Sequence, residues 1–165
     1  MTNRMNPRRA RFLVTGAALA LLALTAMTVT ASDYPANLPE KRLVIEGPAG
    51  QTSTIRVRVA RTPADRSRGM QDLGPAAIRA NPMWFVFPQD RRTGWHMRNV
   101  AIPLVIAYVA ADGQVVATER MQPGRSGYGI DRPIRYALEV AASRAAALGL
   151  EAGARIRPVG GGPRN

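Results

Sequence analysis

Residues 83–109, MWFVFPQDRRTGWHMRNVAIPLVIAYV, limit the fold more than any other stretch of this chain. They hold two apolar runs, Met83 to Phe87 and Leu104 to Val109, rich in Val, Ile and aromatic residues and bounded by Pro and Gly. Runs this short with this composition predict buried strands rather than helices. Between them lie a polar turn and the block Trp95-His96-Met97-Arg98-Asn99, which carries the only histidine. A chain with this centre is committed to a sheet, and its functional site is expected in the same segment.

The flanking sequence extends the sheet. Leu43-Val44-Ile45 predicts a short strand, turned by Gly47-Pro48-Ala49-Gly50. From Thr52 to Ala60 the chain alternates, with Ile55, Val57 and Val59 on one face and Thr54, Arg56 and Arg58 on the other, the period of a half-buried strand. Arg56, Arg58 and Arg61 would make an anion-binding stripe, although solvated charge on a wet face is the commoner meaning of this pattern. Thr62-Pro63-Ala64-Asp65 starts a helix: the hydroxyl caps free N–H groups, Pro63 has none to lose, and Asp65 sits at the positive end. Gly69 closes that helix before Met70, and Pro75 to Ala80 predicts a second short one. Ala111-Asp112-Gly113-Gln114 predicts a tight two-residue hairpin turn, with Gln114 to Met121 returning.

Pro123 to Gly129 is a loop by composition, long enough to lie over a site. Arg135 to Val140 predicts a strand, Ala141 to Leu148 an Ala-rich helix ended by Gly149, and Ala154 to Val159 a last strand. The sum is a mainly β (α+β) domain at residues 43–159, a single small antiparallel barrel or sandwich of about seven strands with two or three short helices. Parallel βαβ architecture is not expected, because no long helix separates the strands.

The 165 residues suffice for one core. Residues 1–31 read as an export signal: Arg4, Arg8, Arg9 and Arg11 precede an apolar stretch from Phe12 to about Met27, and Val29-Thr30-Ala31 offers a cleavage site. The same stretch is long enough to stay as an uncleaved anchor, although its threonines dilute it. Four of the 23 basic residues and none of the 11 acidic ones lie there, so the net charge of +12 falls to +8 on the remainder. Residues 32–42 read as an exposed linker and 160–165 as a frayed tail. The expected location is periplasmic or secreted, with membrane contact only through the N-terminal segment if it is uncleaved. Absence of cysteine removes disulfides, thiol catalysis and thiolate metal sites. The arginines are scattered without a nucleic-acid-binding motif, so no nucleic-acid partner is expected. A basic surface outside the cytoplasm more plausibly meets anionic envelope polymers or lipid headgroups.

Four motifs in order carry a resemblance. Gly69-Met70, Met83-Trp84-Phe85-Val86-Phe87, Trp95-His96-Met97-Arg98-Asn99 with Ile102-Pro103-Leu104, and Leu138-Glu139-Val140 resemble the domain-of-unknown-function family numbered 192, over about residues 43 to 159. The resemblance implies a small, mainly β fold, often behind an export signal in bacterial members, and no established activity. That family's central pattern is, roughly, aromatic-Trp-Met-Lys-Asn-Thr, two residues, then Pro-Leu-Asp. Here His96 stands for the Trp, Val100 for the Thr and Val105 for the Asp, so any role resting on that Asp is lost.

The chemistry concentrates in few residues. His96 has the pKa range of a general base or a metal ligand, but a lone His is more often a surface or hydrogen-bonded residue. On a strand it would point away from Trp95 and Met97 and share a face with Arg98, leaving Asn99 on the other. Arg98 can fork two donors onto an anion, either a ligand's or the carboxylate of Glu139. Met70, Met83 and Met97, with Met121 as a further candidate and His96 supplying a nitrogen, would suit Cu(I), yet Met commonly fills core gaps and no Met-x-x-Met run is present. Ser126 misses the Gly-x-Ser-x-Gly elbow because Tyr128 takes the last position. A glycoside-cleaving pair would have to be drawn from Asp131 and Glu139; Asp112 is explained by its turn.

The reading is a non-catalytic exported binding module without cofactor. Its pocket would be built on Trp95, His96, Arg98, Asn99 and Glu139, roofed by Pro123 to Gly129, and would take an anionic or polyol ligand, a small molecule or an envelope polymer. The alternatives are a hydrolase acting on an envelope glycan or ester, and a Met/His copper protein. An enzyme would need a titratable group of perturbed pKa in the cleft.

Overall fold

The computed structural model describes residues 33–160; the expected export segment lies outside them, as does the expected tail beyond Gly160. In chain order the elements are β1 (Glu40–Glu46), β2 (Thr52–Ala60), α1 (Pro63–Arg68), α2 (Pro75–Ala80), β3 (Met83–Arg91), β4 (Trp95–His96), β5 (Leu104–Val109), β6 (Val115–Met121), β7 (Ser126–Tyr128), β8 (Ile134–Ala141), two 3₁₀ turns (Ala142–Arg144 and Ala146–Leu148) and β9 (Arg155–Pro158). Seven strands form one sheet in the order β6-β5-β8-β3-β2-β1-β9, and β4 pairs with β7 separately.

The mainly β class with short helices is as expected, with two differences of topology. First, β2 and β3 run parallel, Val59 opposite Trp84, so the sheet is mixed. The crossover needs only about a dozen residues, and two six-residue helices in series supply it where no single long helix exists. Second, the sheet does not close into a barrel. It curls until its two edges touch at one corner, where Gln114 bridges Arg155 and Val115 N–H donates to the Ala154 carbonyl at 2.8 Å. Contact ends there, because β9 is four residues long and finishes at Pro158, which has no N–H to give.

Both faces of the sheet are buried. One face carries Met83, Phe85 and Phe87 of β3 with Leu104, Ile106 and Tyr108 of β5; the other carries Trp84, Ala107, Val109, Leu138 and Val140. β2 keeps its alternation, with Ile55, Val57 and Val59 buried and Thr54 and Arg56 exposed. Arg58 departs from the expected wet stripe. It is half-buried and donates to Asn81 Oδ1 at 3.1 Å and to the carbonyls of Ala36 and Leu38 at 3.2 and 3.4 Å. Those carbonyls belong to a turn that buries Tyr34 and Leu38 in the core, so the segment read as an exposed linker is packed from residue 34 onward.

Local signals at α1 act as read: Thr62 Oγ1 accepts from Asp65 N–H, and Asp65 Oδ2 accepts from Thr62 N–H, a reciprocal cap. The Ala-rich helix is absent. β8 takes Ala141 into the sheet opposite Leu104, and Gly149 stops the segment at φ 65°, leaving too few residues for more than two 3₁₀ turns. The β5–β6 hairpin has three residues, not two, between its closing pair Ala110 and Gln114, and only Gly113 takes a positive φ, 89°.

Gly113 therefore tests the corner where the sheet edges meet. A Cβ there would stand 2.5 Å from the Ile156 carbonyl oxygen, whereas at Gly50, also at positive φ, nothing lies within 4 Å. Gly50→Ala is expected to cost about 1 kcal/mol of backbone strain, and Gly113→Ala at least about 2 kcal/mol, because the corner must also open. Urea denaturation of both variants measures the difference; equal losses would mean the corner contributes nothing.

Candidate functional site

Glu139 is the one buried charged or polar residue among the described residues, 6% exposed. It stands in β8 between Met83 of β3 and Ile106 of β5, and residues paired in register share a face. No hydrogen bond or ion pair reaches its carboxyl among the described residues. Burial alone raises its pKa from 4.5 to about 8. Instead of a partner it has a cavity of about 300 Å³ above it.

The cavity lies between α1 and the bend after it, the outer half of β3, and β4. Its aromatic wall is one packed unit: Trp95 meets Phe85 edge to face at 4.7 Å and Phe87 at 6.4 Å. Trp95 Nε1–H is buried without a partner. At the mouth, the Arg66 and Arg91 guanidiniums lie 5.2 and 5.5 Å from the Phe87 ring centre. Arg66 is fixed further by donating to the carbonyls of Arg61 and Val86. Neither arginine forms an ion pair among the described residues. Arg68, also on the lining, packs 3.8 Å above the Tyr34 ring, whose hydroxyl donates to the Gly69 carbonyl. The Tyr34 pKa is pushed up to about 12, chiefly by burial, with Arg68 opposing.

Of the residues read from the sequence, Trp95, His96 and Glu139 line this cavity and Arg98 and Asn99 do not. The strand alternation that would have aligned them stops at Met97: β4 ends at His96, and Asn99 turns to φ 57° with its carbonyl taken by Asp72 N–H. Arg98 is exposed, and the ion pair it would make with Glu139 is absent. The loop Pro123 to Gly129 is not the roof. It backs the Trp95 block, with β7 on β4, Met97 N–H donating to the Arg125 carbonyl at 2.7 Å and Gly124 N–H to the Met97 carbonyl at 2.9 Å. The roof is α1 and the bend Gly69 to Gln71.

The paired-carboxylate arrangement has no counterpart: Asp131 is 95% exposed, bonds Arg92 at 3.0 Å and lies off the cavity. Met70 and Met97 line the cavity beside His96 and Met83 and Met121 do not, and all four are fully buried. Sequence reasoning missed Arg66, Arg68 and Arg91. One signal for the roof existed: Gly69-Met70, Phe85 and Phe87, Trp95 to Met97, and Glu139, drawn from the four motifs that carried the family resemblance, all line this one cavity.

A carboxyl ionising near 8 when folded and near its ordinary 4.5 when unfolded binds more protons in the folded chain. The stability this gives is complete below about pH 4.5 and is lost as pH rises toward 8. Denaturant unfolding is therefore expected to weaken over that window by on the order of a few kcal/mol, and Glu139→Gln to flatten the slope while unfolding later at pH 8. An unchanged slope in the variant would place the titrating group elsewhere.

Comparison with known proteins places this architecture. The solved structure of a "putative transcription regulator" from Sinorhizobium meliloti is similar, with a TM-score of 0.66 and 26% identity over 74% of this chain and 96% of that one. A protein of unknown function from Novosphingobium aromaticivorans is similar too, with a TM-score of 0.65 and 25% identity over 75% of this chain and 89% of that one. None of the curated proteins searched matches. The profile of DUF192, described as "Uncharacterized ACR, COG1430", matches residues 43–158, from within β1 to the end of β9. The chain belongs to the DUF192 family.

Proposed function

We propose that this chain is a non-catalytic binding domain that takes a small anionic ligand into the cavity between α1, β3 and β4, and that it works in the cell envelope after export through residues 1–31. The observation that carries the reading is the polarity of the cavity: Arg66 and Arg91 at its mouth without an ion pair, and the carboxyl of Glu139 at its floor without a partner in the protein. Buried polar groups are ordinarily satisfied, and fixed arginines ordinarily answer an anion. A ligand that reaches both ends resolves both.

The alternatives have less to stand on. A hydrolase of the two-carboxylate kind lacks its second carboxylate at this cavity, although Glu139 itself has the perturbed pKa an acid catalyst needs. Copper would find Met70, Met97 and His96 at one wall but not Met83. The Sinorhizobium protein's description is not carried over, because α1 and α2 have six residues each, under two turns, and a groove-reading helix needs more.

Thermal-shift and calorimetric titration against phosphate, acetate, glucuronate and Cu(I) test the reading. An anion is expected to raise the melting temperature, with affinity falling as salt is added. Arg91→Ala is expected to weaken that binding about tenfold without lowering the melting temperature of the protein alone, since Arg91 is exposed. Anion binding untouched by the substitution would move the site elsewhere, and a response to Cu(I) alone would favour the metal alternative.

A further inference from the structure

We infer that the ligand of this cavity is a small hydroxylated acid, a sugar acid or sugar phosphate, seated with its anionic group at Arg66 and Arg91 and a hydroxyl against Glu139. This rests on the reading of the cavity as a ligand site and goes on to its chemistry.

Size sets the first limit. About 300 Å³ is the small end of ligand pockets, which run from roughly 300 to 1,000 Å³, so one ring or a short chain fits. The wall sets the second. Phe85, Phe87 and Trp95 present aromatic carbon to whatever enters, which suits the C–H faces of a sugar ring as well as any apolar ring.

The floor decides between them. An apolar ring pressed on Glu139 would shut its carboxyl off from water and leave it without partners, which is unfavourable for any buried polar group. An ammonium group would partner Glu139, but it would have to pass Arg66, Arg68 and Arg91, and it cannot accept a hydrogen bond. A hydroxyl donates and accepts, carries no charge past the arginines, and matches Glu139 in either protonation state. The anionic end belongs at the mouth, where the Arg66 and Arg91 guanidiniums, braced by the Phe87 ring, form no ion pair among the described residues.

Calorimetric titration of the full chain with paired probes tests this. Glucuronate and glucose 6-phosphate are expected to bind at least about tenfold more tightly than cyclohexanecarboxylate, a ring acid without hydroxyls, one hydrogen bond to a buried acid being worth about that factor. Glu139→Leu is expected to erase the ratio, and Glu139→Gln, which keeps a donor and an acceptor, to retain part of it. Melting temperatures report whether each variant folds, and the Gln variant carries the test if the Leu variant does not. Galacturonate against trigalacturonate separates a free sugar acid from the end of a polymer. Equal binding of glucuronate and cyclohexanecarboxylate would overturn the hydroxyl inference and leave the anion site standing, as would tighter binding of 6-aminohexanoate. Failure of all these anions would remove the site itself.

Discussion

Burial of β3, β8 and β5 on both faces is the constraint on which the rest of this structure depends. Inner strands with covered faces have no wet side on which to place a charge. Where these strands are paired side by side the residues obey, although β3 beyond Phe87 is exposed: the row through Phe85, Ala137 and Tyr108 is apolar apart from the Tyr108 hydroxyl, which donates to Glu119 at 2.8 Å. Burial and that bond push the Tyr108 pKa upward, keeping it a neutral donor. The adjacent row, Met83, Glu139 and Ile106, breaks the rule once. At that break the chain builds a cavity rather than a partner, and the elements around it are held by means unrelated to Glu139. α1 is held by its own reciprocal cap and by Arg66 reaching back to the β3 carbonyl at Val86, and the bend after it by the Tyr34 hydroxyl on Gly69.

What could be read from the sequence was what short-range chemistry decides. The Thr62 cap, the Pro75 helix, the alternation of β2 and the strand on either side of the Trp95 block each need only neighbours within a few residues. What could not be read depended on distant partners. The parallel pairing of β2 with β3 is invisible locally, because two short helices can serve as a crossover as well as one long one. The Ala-rich helix failed because pairing with β5 claimed Ala141 first, a tertiary override of propensity. At the site the alternation rule did not hold: the β4–β7 register shifts between Trp95 and His96, Trp95, His96 and Met97 all line one cavity, and Asn99 leaves extended geometry at φ 57°. Arg91 was hidden because the apolar run stops at Phe87 and the polar residues after it read as a turn, whereas β3 continues to Arg91.

The departures from the family pattern can now be placed. Val105 stands where the pattern has Asp, and it pairs with Val140 on the face opposite Ile106 and Glu139. A carboxylate at 105 would face a separate pocket of about 380 Å³ beside Thr118, Arg120 and Glu151, not the cavity of Trp95 and Glu139. Its absence therefore leaves the chemistry of that cavity unchanged. His96, standing for the pattern's Trp, does line the cavity, so this chain presents an imidazole at a wall where the pattern has indole.

Glu139 is a stability loss that the fold could avoid with a leucine. The surroundings would accept one, since Met83 and Ile106 on either side are apolar and fully buried and a leucine there would leave no polar group to desolvate. The carboxyl instead keeps a desolvated polar group without a partner among the described residues, beside space that side chains do not fill and beside Arg66 and Arg91, which no acid among those residues neutralises. Each of the three is individually unfavourable, and elsewhere among the described residues sequence, register and burial agree with one another. Local conflict confined to one place, in a chain otherwise consistent from propensity to packing, is what a site costs a fold. The position of Glu139 in mid-strand, where its backbone is fixed by pairing on both sides, also means that the acid cannot relieve the conflict by moving.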